Sequence, residues 1–93
     1  MNLPGLYPRT FRIKSWASWA DLEECKKKFV RATIQAKLDQ LEAEQTDGSG
    51  ELTGERQRGT RSARVKFIIL GETSTGYIVD LLCVYTEGFW EPY

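Results

Sequence analysis

The chain has 93 residues, 41% hydrophobic and 28% charged, and its 13 basic side chains balance 13 acidic ones. That length makes one domain around one core, and the zero net charge argues against a protein that binds nucleic acid or membrane with its whole surface. The absence of histidine removes the usual general base, the Ser-His and Cys-His nucleophile pairs and the commonest metal ligand, so neither an enzyme nor a zinc site is expected.

The start of the chain, MNLPGLYP, lacks the charged and apolar stretches of a secretory leader. No apolar run is long enough to span a bilayer. A cytoplasmic protein is expected, with Cys25 and Cys83 as reduced, buried thiols. Arg9 to Ser15 then alternates, with Phe11 and Ile13 on one side and Arg12 and Lys14 on the other, as in a half-buried strand.

A helix is predicted from about Trp19 to Glu44, because alanine, leucine, glutamate, lysine and glutamine dominate there and all favour helix. Its apolar residues fall on two adjoining stripes. One is Leu22, Cys25, Phe29, Ala32, Ala36 and Ala43; the other is Trp19, Val30, Ile34, Leu38 and Leu41. A helix of that length measures ~39 Å, while an eight-residue strand covers ~26 Å. The predicted helix therefore outruns its sheet and leaves Ile34, Leu38 and Leu41 as a surface for a partner.

Thr46 to Thr60 holds four glycines and almost no apolar residue, and is predicted as a flexible loop, open to proteolysis at Arg56, Arg58 or Arg61. Two strands follow, Ala63–Leu70 and Tyr77–Tyr85, with Ile69 expected opposite Val79, Phe67 opposite Leu81 and Val65 opposite Cys83. Between them, Gly71 and Gly76 have the spacing of a phosphate-binding loop. However, Tyr77 and Ile78 stand where lysine and a hydroxyl are needed, and a strand follows instead of a helix. The segment is a hairpin turn, with Gly76 expected to take positive φ.

These elements predict a single α+β domain over residues 1–93, in the order β-α-β-β: one long helix packed on a small, three-stranded, mostly antiparallel sheet. The expected core is Phe11, Ile13, Leu22, Phe29, Val65, Phe67, Ile69, Val79, Leu81 and Cys83. The opposite sheet face would mix Arg12, Lys14, Arg64 and Lys66 with Ile68, Leu82 and Asp80, and Asp80 is expected to pair with one of the four cations. Cover for that face would come from the terminal segments, which carry Leu3, Leu6, Tyr7, Phe89, Trp90 and Tyr93, or from a partner.

The function expected is protein binding without catalysis, as an inhibitor, adaptor or assembly factor of the kind found among phage and mobile-element accessory proteins. A homodimer is expected, with no metal, cofactor or membrane. The alternative is a nucleic-acid-binding module that uses the basic segment Arg56–Lys66, with Arg56, Arg58 and Arg61 as phosphate contacts. A third class, a small ribonuclease-like toxin, would need a catalytic site that cannot be placed on these residues.

Overall fold

A computed structural model describes residues 10–14, 22–44 and 49–86, together with the backbone of 89–92. One helix lies on a mixed sheet. The elements are β1 (Thr10–Ile13), α1 (Glu24–Glu44), β2 (Glu51–Arg58), β3 (Arg61–Glu72), β4 (Gly76–Thr86) and β5 (Phe89–Pro92). The α+β class predicted from the sequence is observed, with a larger sheet than the three strands expected.

The sheet runs β1-β4-β3-β2. β3 and β4 form the central antiparallel hairpin. β1 lies parallel to the first part of β4, and β5 returns antiparallel along its last part, so the two short strands share one edge. β2 forms the other edge, antiparallel to β3. α1 thus connects strands on opposite edges and has to cross the sheet, which places its buried stripe over β2 and β3.

β2 corrects the predicted flexible loop. Its residues Glu51–Arg58 pair one for one with Ile68–Arg61. Apolar alternation is nearly absent because β2 is an edge strand whose second half faces water: residues 55 to 58 are all exposed. Charged residues on such an edge also discourage pairing with other chains. The turn into β3 is two residues, Gly59 and Thr60, between the paired Arg58 and Arg61. Gly59 has φ 62°, the left-handed conformation that tight hairpin turns require. Trp19, the predicted start of the helix, lies outside the described residues; α1 begins at Glu24, and the Glu23 carbonyl accepts a 2.9 Å bond from the Lys27 amide.

The core is the bulky helix stripe packed on the sheet. Val30, Ile34, Leu38 and Leu41 meet Val65, Phe67, Val79, Leu81 and Val84, with Phe11, Ile13, Leu52, Ile69 and Tyr77 around them. Large aliphatic side chains gain ~1.5–3 kcal/mol each on burial, so this stripe outcompetes the alanine-rich one. Leu22 and Phe29, both predicted core, are only half-buried, and Ala36 and Ala43 are exposed. Close approach of α1 to β2 occurs at Gly54, where an added Cβ would lie 3.1 Å from the Thr33 carbonyl oxygen. The buried Thr33 hydroxyl donates to the Phe29 carbonyl at 2.7 Å.

Two register shifts decide which residues face the helix. The predicted pairs Ile69–Val79 and Phe67–Leu81 are present, and Asp80 lies opposite Ile68. Leu82 is then an extra residue, so Lys66 pairs with Cys83 and Val65 with Val84. A one-residue bulge exchanges the two faces beyond it. Val84 therefore enters the core, whereas Cys83, predicted there, is half-buried. Near the turn Leu70 is the extra residue and is 46% exposed.

The β3–β4 turn is closed by the Thr73 amide, which donates to the Gly76 carbonyl at 2.7 Å, and by the Gly76 amide, which donates to the Thr73 hydroxyl at 3.1 Å. Gly76 does not take the expected positive φ. It is needed for space: an added Cβ would lie 2.6 Å from the Thr10 carbonyl carbon and closer still to its oxygen. Gly76→Ala is therefore expected to force β1 away from β4 and cost about 1–3 kcal/mol, read as a lowered chemical-denaturation midpoint. An unchanged midpoint would mean that β1 does not pack there.

Candidate functional site

The β2–β3 hairpin sorts the basic segment onto two faces. In β2, alternate residues Leu52, Gly54, Arg56 and Arg58 share the side that meets the helix; on β3 their partners are Phe67, Val65, Ala63 and Arg61. The opposite side carries Glu55 and Arg64 as a cross-strand pair. The predicted cationic run Arg56–Lys66 is thus divided, with Arg56, Arg58 and Arg61 on the helix side and Arg64 and Lys66 on the outer side.

On the outer side, Arg64 is engaged. Its Nε lies 3.0 Å from Glu55 Oε1, and its guanidinium lies 5.6 Å from the centre of the Tyr85 ring. Both members of the ion pair are about half exposed, so the pair is worth ~0.2–1 kcal/mol at most. Arg64, one of the four cations expected as candidates for Asp80, thus bonds instead to Glu55 on a strand invisible in the alternation pattern. Arg12, Ile68, Ile78 and Asp80 share this outer face by register. Lys14 follows the end of β1, its amide donating to the Val79 carbonyl at 3.0 Å, and Leu82 sits at the bulge. The expected sheet-face set is brought together apart from these last two. The expected cover from residues 1–9 and Tyr93 lies outside the described residues. The backbone of Phe89–Pro92 extends the sheet edge, and the side chains of Phe89 and Trp90 lie outside those described.

The helix-side arginines form a different environment. The first two turns of α1 pass beside the hairpin tip, and the space between them is an open cleft of about 630 Å³. Lys28, Phe29 and Ala32 line it from the helix, with Cys25 at one end; Arg56, Arg58, Gly59, Thr60 and Arg61 line it from the hairpin. Four of the nine described lining residues are cations and none of the nine is an acid. Of the described acids nearby, Glu24 lies 3.6 Å from Lys27 and Glu55 is held by Arg64 on the far side of the sheet, while Glu23 accepts a 3.6 Å contact from the Cys25 thiol at the end of the cleft. Arg56, Arg58 and Lys28 are exposed and Phe29 is half-buried. The first turns of a helix add a partial positive charge at the same end.

Two residues of this cleft, Lys28 and Phe29, were not among the expected site residues. Their i,i+1 position on a helix gave no signal, because the hairpin opposite was itself read as a loop. Conversely, Ile34, Leu38 and Leu41, expected as a partner surface, are 0%, 1% and 7% exposed. They belong to the core, and the reason is length: β3 and β4 have 12 and 11 residues, reaching ~36–40 Å, whereas the 21-residue helix reaches ~32 Å. The helix does not overhang the sheet.

Cys25 and Cys83 are free thiols, Cys25 being exposed where a buried one was expected. Among the described residues no histidine, cysteine, aspartate and glutamate side chains cluster as a metal site, and no helix is long and apolar enough to cross a membrane. No protein-family model matches the chain, and neither a curated protein nor a solved structure matches it, so its function has to be argued from its own residues.

Proposed function

We propose that the protein is a non-catalytic binding protein that holds the phosphate backbone of a nucleic acid in the cleft between α1 and the β2–β3 turn. The observation that carries this is the composition of one cleft: Lys28 on one wall, Arg56, Arg58 and Arg61 on the other, and no acid among its described lining residues. Phosphate attraction needs clustered cations and releases condensed counterions, so affinity falls steeply with salt. Local clustering also reconciles such binding with a net charge of zero, because a phosphate responds to the cations around it more than to the total charge. The two unpaired thiols suit a reducing, cytoplasmic setting.

The test is fluorescence anisotropy of a labelled oligonucleotide across a salt series. Arg58→Gln is expected to weaken binding by a similar factor for every sequence and to reduce the slope of log K against log salt by about 1. The arginine is exposed, so the fold should change by less than ~0.5 kcal/mol. Absence of binding at low salt, or binding insensitive to both salt and Arg58, would defeat the proposal.

A second reading, a protein partner or second copy on the outer sheet face, is favoured by Leu70, the one large apolar side chain that is exposed among the described residues. It lies at the bulge beside a face that mixes Ile68 and Ile78 with Arg12 and Asp80. Light scattering checks it: the wild type should be a dimer and Leu70→Lys a folded monomer. A wild-type monomer at high micromolar concentration sinks the homodimer.

A further inference from the structure

We infer that the cleft accepts a single nucleic-acid strand and excludes duplex, with an unpaired base lying against Phe29. The inference rests on the nucleic-acid reading above. It starts from where the cations stand. Lys28 projects from the helix wall and the three arginines from the hairpin wall of the same cleft. A lone strand lying between the walls neutralises both. A duplex is a convex cylinder with phosphates on its outside, so it would meet one rim and leave the other wall's charge unused.

The size agrees. About 630 Å³ falls in the range of sites that enclose small molecules, roughly 300–1,000 Å³, which suits a few nucleotides.

The apolar lining points the same way. Phe29 and Ala32 supply an apolar patch on the helix wall beside Lys28. An unpaired base offers a π-face to an aromatic ring, and a positively charged groove with such a ring is the common design for strand binding without sequence preference. In a duplex those faces are hidden in the stack.

The usual modes of duplex reading are also blocked. A major groove admits a helix or a two-stranded ribbon. Here α1 gives its apolar stripe to the sheet, and the ribbon face that carries Arg56, Arg58 and Arg61 is the face α1 lies against. Neither element can be laid into a groove with those arginines leading.

The experiment measures anisotropy for one short sequence as a single strand and as a blunt duplex, with wild type, Phe29→Leu and Phe29→Trp, each checked for a cooperative melt. The single strand is expected to bind at least about 10-fold more tightly than duplex. Phe29→Leu should lose about 5–100-fold on the single strand without changing the salt slope, and Phe29→Trp should keep the wild-type affinity. If Phe29→Leu fails to fold, the strand-to-duplex ratio and the Phe29→Trp result still decide the matter. Equal affinity for strand and duplex overturns the inference and leaves the phosphate-binding function standing. Absence of binding to either form overturns both. Competition by polyglutamate as strong as by the oligonucleotide would identify an acidic protein as the partner and overturn the strand assignment.

Discussion

Leu38→Lys is expected to leave no stable folded protein. Leu38 is 1% exposed and belongs to the continuous cluster of Val30, Ile34, Leu41, Val65, Phe67 and Leu81. Removing its burial forfeits ~1.5–3 kcal/mol. Placing an ammonium among these side chains adds several kcal/mol more, because every buried polar side-chain atom described already has a partner. Together these reach the low end of the ~5–15 kcal/mol that holds a typical domain, which is where a 93-residue chain belongs. Circular dichroism should show a loss of cooperative melting at 25 °C, while Leu38→Met keeps it. This is the reverse of what the overhanging helix predicted, namely a folded protein that loses only its association. A Leu38→Lys monomer with the wild-type midpoint would restore the surface assignment.

Phe67→Ala is expected to cost about 3–5 kcal/mol. Phe67 is fully buried at the centre of the sheet, between β2 and β4, opposite Leu52 on one side and Leu81 on the other. The strands on both sides and the helix above fix its surroundings, so the cavity cannot collapse without breaking the ladder, and the cost should lie in the upper part of that range. The readout is the urea midpoint at constant slope, which separates lost stability from a changed unfolded state. A midpoint within error of wild type would mean that Phe67 does not occupy the core.

The bulky stripe Val30, Ile34, Leu38 and Leu41 shows how far the sequence could be read. Its existence and spacing were legible from helical periodicity. Its role was not, because that depended on how long the facing strands are and how many there are. β3 extends past the apolar alternation into Arg61, Ser62 and Glu72, and β4 into Thr86, residues that contribute pairing without a hydrophobic signal. The same holds for the site. Arg56, Arg58 and Arg61 were legible as a basic cluster, but strand parity separated them from Arg64 and Lys66, and only the hairpin revealed that parity.

What the sequence by itself determined is local: the absence of histidine chemistry, the helix up to Glu44, the β3–β4 hairpin in place of a phosphate loop, and the pairs Ile69–Val79 and Phe67–Leu81. Each follows from composition or from residues no more than one hairpin apart, through propensity, turn chemistry and alternation. The tertiary structure decided the rest: the edge strand β2, the shared edge of β1 and β5, the bulges at Leu82 and Leu70, and which helix stripe is buried. The physical reason is that an edge strand such as β2 is stabilised by backbone hydrogen bonds to the adjacent strand, which leave no apolar alternation in its side chains. A bulge moves every later side chain to the other face without changing the composition. The cleft of Lys28, Phe29 and three arginines exists only where a helix and a hairpin meet.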